Sequence, residues 1–169
     1  MNKYEMLQDD KIEIEGHTHY RIKALKDFGN VKAGDIGGYI EKEENLSQFG
    51  NSWVHGNACV YGNAFVSGNS RVTENARVSG NAFASGDSRV SGNARVSGNA
   101  FVIGNSRVDG NAHVYGDTFV CGNSRVTGNA RVYANSLVYE NALITGDSSV
   151  SGDAEVFGNA CVSCDGFRR

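Results

Sequence analysis

The sequence predicts an all-β fold, a parallel β-helix with three strands in each coil behind a small N-terminal β cap. Three observations predict it. From Val54 onward the chain repeats every six residues as V-x-G-N-A-x without insertion or deletion. Aliphatic residues occupy 54, 60, 66 and every sixth position to 162, and only Ala84 is smaller than Val. Within a unit such as Ala94-Arg95-Val96-Ser97, apolar and polar residues alternate, as in a short strand with one buried face. Lastly, the outward residue before each Val recurs at every third unit. Phe65, Phe83, Phe101 and Phe119, continued by Leu137, form one such series, and Arg71, Arg89, Arg107 and Arg125 a second. Arg77, Arg95, His113 and Arg131 form the third. Like residues line up above one another only if three strands complete one turn.

Taken in order, residues 1–49 stand outside the repeat and are assigned as a capping segment. Lys11–Glu15 and His19–Leu25 alternate apolar and polar around Gly16-His17-Thr18, which predicts a hairpin, whereas Asp27–Tyr39 reads as Gly-rich and irregular. An uncovered β-helix end would expose unpaired strand edges, so a cap is expected there. Residues 50–169 are assigned to the repeat. Each Gly-Asn or Gly-Asp pair predicts a corner, because Gly accepts positive φ without steric cost and Asn or Asp tolerates it next best. A four-residue strand buries too little by itself, and stacking successive coils is what removes the Val and Ala side chains from water. The nineteen hexads from Val54 to Val162 correspond to about six coils, a prism roughly 30 Å long at the usual strand spacing.

Composition sets the outer limits. A length of 169 residues fits one domain, and 22 Gly with no Pro and 40% apolar residues excludes collagen, Pro-rich linkers and disorder. No stretch approaches a membrane span, and the acidic start MNKYEMLQDDKIEIE does not read as a signal peptide, so a cytoplasmic location is expected. Cys59, Cys121, Cys161 and Cys164 are scattered over unrelated repeat positions, unlike a disulfide framework, and Cys161/Cys164 is a lone CxxC. The net charge of −3 argues against extended nucleic acid as a partner. No phosphate-binding loop, cofactor motif or metal-ligand cluster is read, and no nucleophile, base and orienting group converge.

The Val-x-Gly-Asn-Ala-Arg units resemble the left-handed hexapeptide-repeat superfamily. The segment from Ala24-Leu25-Lys26-Asp27-Phe28-Gly29-Asn30 through Val31-Lys32-Ala33-Gly34-Asp35-Ile36-Gly37-Gly38, followed by Asn45-Leu46-Ser47-Gln48 and Gly50-Asn51-Ser52-Trp53-Val54, resembles the YdcK-like proteins of bacteria and their phages. The resemblance implies a left-handed parallel β-helix and a homotrimer, and such proteins are habitually described as acyltransferases. The chain departs from the acyltransferase pattern, since no hexad between 54 and 162 is interrupted by the loop that usually surrounds the catalytic His. The similar β-helical carbonic anhydrases hold zinc with three His on neighbouring coils. Here His55 and His113 lie three coils apart by repeat count, and the His17/His19 pair reads as alternate positions of a hairpin.

Two outward features carry functional expectations. The Arg columns, with Tyr61, Tyr115 and Tyr133 beside one of them, combine guanidinium groups suited to phosphate with rings suited to base stacking. The candidate ligand-binding residues are therefore Arg71, Arg77, Arg89, Arg95, Arg107, His113, Tyr115, Arg125, Arg131 and Tyr133, for a small anionic, nucleotide-type ligand. A plainer reading makes the columns a solvated face, neutralised in part by Asp109 and by corner residues Asp87, Asp117 and Asp147. The third column is apolar: Phe65, Phe83, Phe101, Phe119 and Leu137, flanked by Ile103, Cys121, Tyr139 and Phe157. A contiguous exposed stripe of this kind marks an interface, here for self-association, with Phe65, Phe83, Phe101, Phe119, Leu137, Ile103 and Tyr139 as its residues. Stacked amides at the corners, among them Asn57, Asn75, Asn93 and Asn111, read as turn-satisfying groups and not as metal ligands. The leading expectation is a non-catalytic oligomeric scaffold binding a nucleotide-type anion, which in a phage would sequester a host signal. The alternatives are an acyl-CoA-dependent acyltransferase with an inter-subunit site, using His113 or His55 as base, and a self-assembling structural element.

Overall fold

The computed structural model describes residues 1–164. Three sheets wrap about seven parallel coils, and Val or its equivalent from every strand points inward to form one continuous core. From Val54 to Val138 each of these inward residues is completely buried. The outward residue before each of them lies on one of three faces. Trp53, Arg71, Arg89, Arg107, Arg125, Leu143 and Cys161 define the arginine face, paired in parallel register. Cys59, Arg77, Arg95, His113, Arg131 and Ser149 define a mixed face. Phe65, Phe83, Phe101, Phe119, Leu137 and Glu155 define the phenylalanine face.

Eighteen of the nineteen exact hexads account for six of the coils, and the remaining coil joins the first hexad, at Val54, to less regular sequence. Strand β1 (Tyr4–Ile14) and strand β2 (His17–Ala24) form an antiparallel hairpin, and β2 pairs antiparallel with β3 (Ile36–Ile40). In turn, β3 pairs in parallel with Cys59–Val60, while Leu46 bridges in parallel to Val66. Ile40, Leu46 and Val54 thus provide the inward residues of a first coil. The expectation of irregular chain from Asp27 to Tyr39 needs correction at its C-terminal end, where Gly37 and Gly38 lie inside β3. These glycines serve close packing: a Cβ at Gly37 would lie 2.6 Å from Ile22 Cγ1 and 2.7 Å from Trp53 Cζ2. The hairpin also turns earlier than its polar residues indicate. Glu15 and Gly16, with φ of 52° and 80°, make the two-residue turn, a conformation that matches the twist of the flanking strands.

The cap is fixed to the first coil by buried polar groups. Lys3 Nζ donates to Ser52 O at 2.9 Å and Ser52 Oγ at 3.2 Å, and burial, reinforced by the charge of Lys26, lowers its pKa to about 8. The Tyr4 hydroxyl donates to Leu46 O at 2.7 Å.

Most corners close through a hydrogen bond between residues three apart, such as Ala82 N–H to Ser79 O at 3.2 Å. They also bond to the coil above, as Asn81 N–H does to Gly98 O at 2.7 Å. Corner amides continue the ladder as expected: Asn75, Asn93 and Asn111 each donate from Nδ2 to the residue eighteen further on, ending at Asn129 and then Asp147. At most positions where Ser replaces the small inward Ala its hydroxyl finds local acceptors, whereas the buried hydroxyls of Ser88 and Thr118 have no partner among the described residues. Ser106 Oγ donates to Ile103 O at 2.8 Å and lies 3.1 Å from Val120 O in the next coil.

Candidate ligand-binding faces

The parallel register places Arg71, Arg89, Arg107 and Arg125 in one vertical column and Arg77, Arg95, His113 and Arg131 in another. The two columns occupy different faces, so eight of the ten candidate residues form two linear arrays, and Tyr115 and Tyr133 lie beside one of them. Tyr115 and Tyr133 stack nearly parallel, with ring centroids 5.0 Å apart, at the corner that leads off the mixed face. Tyr61, three coils earlier in the same series, packs edge-on against His19 of the cap, 4.9 Å away.

Charge along these columns is mostly uncompensated. Asp109 pairs with Arg125, its Oδ2 2.9 Å from Nη2 and 3.1 Å from Nε. The corner carboxylates of Asp87, Asp117 and Asp147, expected to neutralise the arginines, instead accept amide hydrogens from Asn69, Asn99 and Asn129 at 2.9, 2.7 and 2.7 Å. An Asn one coil away and in register is a nearer partner than a long Arg side chain on the next face. Among the described residues, no carboxylate lies within ion-pair distance of Arg71, Arg77, Arg89, Arg95, Arg107 or Arg131. His113 sits between Arg95 and Arg131, and burial, then these two guanidinium charges, lower its pKa below the ordinary 6.5. It is therefore a neutral imidazole at pH 7 within a cationic column.

The phenylalanine face is outward-facing, as expected. Its rings form a continuous stack, with centroids of Phe65 and Phe83 5.8 Å apart, Phe83 and Phe101 5.7 Å, and Phe101 and Phe119 4.8 Å. Tyr139 and Phe157 stack at 5.3 Å along the adjoining corner. Phe119 is 39% and Phe157 52% exposed, so the stack leaves apolar surface in contact with water.

The histidines do not gather into one site. His55 lies at a corner of the first coil and His113 on the mixed face further along. His17 Nδ1 lies 2.8 Å from Glu41 Oε1, while buried His19 bonds through Nδ1 to His17 O at 2.9 Å. Among the described residues no group of three or more His, Cys, Asp or Glu is placed to hold a metal ion, and Cys59, Cys121, Cys161 and Cys164 are free thiols. No helix among them is long and apolar enough to cross a membrane.

Sequence reasoning passed over a pocket of about 350 Å³ at the N-terminal end of the arginine face, lined by Asn30, Val31, Asp35, Ile36, Trp53, His55, Arg71 and Thr73. The one Trp of the chain, at the head of an Arg column, was the available signal.

Fold and faces together define a parallel β-solenoid with three-stranded coils. The family model described as YdcK Beta solenoid repeat matches residues 88–104, and this match and the coil seen throughout the described residues support a YdcK-like repeat β-helix. No curated protein matches the chain.

Proposed function

We propose that the protein is a non-catalytic, self-associating β-solenoid scaffold that binds a small anionic, nucleotide-type ligand through its arginine columns. The observation that carries this reading is the in-register array of guanidinium groups, of which Arg125 has a carboxylate partner in Asp109 and the others have none among the described residues. Like charges stacked one strand spacing apart repel, and an anion between them relieves that repulsion. Arg offers a planar fork for bidentate contact with phosphate, and the Tyr115–Tyr133 stack beside the mixed column supplies a face for a base. In a phage, such a scaffold would serve to sequester a host nucleotide signal.

The phenylalanine face supports the self-association part of the proposal, with the homotrimer implied by family resemblance as its form. Burying one Phe contributes about 2 kcal/mol before the costs of association, so a column of four with Leu137 provides a driving force of useful size.

Native mass spectrometry of protein purified from cells tests the proposal, together with a thermal-shift screen against nucleotides and acyl-CoAs. A co-purified or stabilising nucleotide whose effect falls in the double variant Arg95→Gln/Arg131→Gln is expected. Stabilisation by acyl-CoA with acetyl transfer, lost in His113→Ala, would replace the proposal with an enzymatic one.

A further inference from the structure

The pocket at the junction of the cap and the arginine face combines features that the open columns lack. Its floor is apolar, formed by Val31 and by the small exposed part of Trp53, 3% of its surface, whose ring Phe28 and Tyr4 hold edge-on with centroids 5.3 and 6.3 Å away. Ile36 lies at its edge with 47% of its surface exposed, which is unusual for so large an aliphatic side chain in this chain. Hydrogen-bond donors converge over this floor. Arg71 heads the arginine column, and among the described residues its guanidinium has neither a carboxylate nor a hydrogen-bond partner. His55 Nδ1 accepts the Gly56 N–H at 2.9 Å, so in the neutral ring the proton resides on Nε2, which remains available as a donor. Thr73 and Asn30 add a hydroxyl and an amide. The single carboxylate on the rim, Asp35, is turned to its own loop, where it accepts the Lys32 N–H at 2.9 Å.

We infer that this pocket is a binding site for one planar aromatic molecule bearing one anionic head, with the ring on the Trp53/Val31/Ile36 floor and the head at Arg71 and His55. A volume of about 350 Å³ is at the small end of ligand pockets, the size of a nucleoside monophosphate or an aromatic carboxylate. The inference rests on the proposed anion binding for its ligand class, and it moves the principal site from the length of the column to its enclosed end. A half-enclosed apolar floor keeps water from the charged contact, which strengthens it relative to the same guanidinium on an open face.

Trp53, as the sole Trp, makes the site directly observable. Full-length protein is titrated with adenosine 5′-monophosphate and with 1-naphthoate, with adenosine and inorganic phosphate as the halves of the ligand, and Trp emission is followed. Saturable change with one or both aromatic anions is expected, the phosphate and carboxylate arms distinguishing the head group, with adenosine or phosphate alone weaker by about tenfold or more. Arg71→Gln should weaken the response about tenfold and Arg71→Lys less. Circular dichroism and melting confirm that each variant is folded, and Thr73→Phe, which fills the pocket and keeps Arg71, should also abolish binding. Binding lost in Arg107→Gln but kept in Arg71→Gln would overturn this site while preserving the column proposal. Binding of nucleotide by calorimetry without any Trp53 response would have the same meaning, and no binding to either anion would overturn both.

Discussion

Gly98→Ala isolates the contact between consecutive coils that the three-strand turn requires. Gly98 has φ of 65°, and an added Cβ would lie 2.7 Å from the Gly116 nitrogen and 3.1 Å from its oxygen, both backbone atoms of the next coil. Gly152 has nearly the same φ, 68°, yet a Cβ there meets nothing within 4 Å. The pair separates two costs. The left-handed backbone alone costs a side chain about 1–2 kcal/mol, partly offset because Ala lowers the entropy of the unfolded chain by about 0.4–1 kcal/mol. Gly152→Ala should therefore cost about 1 kcal/mol. Gly98→Ala adds the forced separation of two hydrogen-bonded corners, an overpacking strain of about 1–3 kcal/mol, for a total of about 3. Glu74, Ala134 and Glu140 carry a Cβ at equivalent corners, with φ of 61°, 64° and 58°, so the stack accommodates one where the local spacing adjusts, and the strain assigned to Gly98→Ala is the cost of that adjustment. Differential scanning calorimetry at matched concentration reads the difference. For a chain of this size about 1 kcal/mol corresponds to a fall of roughly 2–4 °C in Tm, and Gly98→Ala should fall about three times further. Equal losses in the two variants would refute the argument that coil-to-coil contact, beyond φ, selects glycine at the corners.

Other perturbations address the faces. Phe101→Asp places a charge in the middle of the aromatic stack and should shift the protein to smaller species in multi-angle light scattering, whereas unchanged mass would remove this face from self-association. His113 is held neutral in the folded chain, so its folded pKa lies below the unfolded 6.5. Its contribution to stability is complete above pH 6.5 and declines as pH falls through the depressed folded value; the acid limb of a urea-stability profile should be shallower in His113→Gln. Binding of an anion between Arg95 and Arg131 should raise the His113 pKa, which a proton NMR titration would detect. Asn111→Asp keeps an acceptor for Asn93 but loses the donor to Asn129, and should cost about 0.5–1.5 kcal/mol in denaturant unfolding, while Asp147→Asn at the ladder's end should be close to neutral.

The sequence made the coil legible because one residue in six has to be a buried aliphatic and one corner in six has to accept positive φ, and both demands recur without slippage from Val54 to Val162. The first coil was hidden for the same reason in reverse. Ile40 precedes its stacked partner Val60 by twenty residues and Leu46 precedes Val66 by twenty, two more than the later spacing, so a search for strict hexads stops at Val54. Gly37 and Gly38 read as loop because glycine in a sequence does not distinguish a turn from a strand against which Trp53 and Ile22 pack closely. The columns were legible, but their partners only in part: Asp109 does pair with Arg125, whereas the corner residues Asp87, Asp117 and Asp147 looked like counter-ions until the register paired each with an Asn amide. The pocket depends on bringing Asn30, Val31 and Ile36 against Trp53 and Arg71, contacts between segments with no shared period.

The two kinds of outward column differ in what the fold itself can explain. A stack of Phe rings at 4.8 to 5.8 Å is stabilising on its own account, since each pair adds about 0.5–1.5 kcal/mol to the burial it shares, so the phenylalanine column would have a use even in a monomer. The arginine columns have no such explanation. Their inward neighbours, the Val side chains, already specify the coil, and the outward position accepts Ser149, Glu155 or Cys161 without interrupting it. Placing four cations in register on one face, with one carboxylate at Asp109 to answer them, lowers stability wherever screening is weak, and the cost grows toward the enclosed end at Arg71 where water is partly excluded. A ligand that supplies the missing negative charge reverses the sign of that cost. The folded protein should consequently gain more from added multivalent phosphate than from chloride at equal ionic strength, and the excess gain should fall in Arg71→Gln.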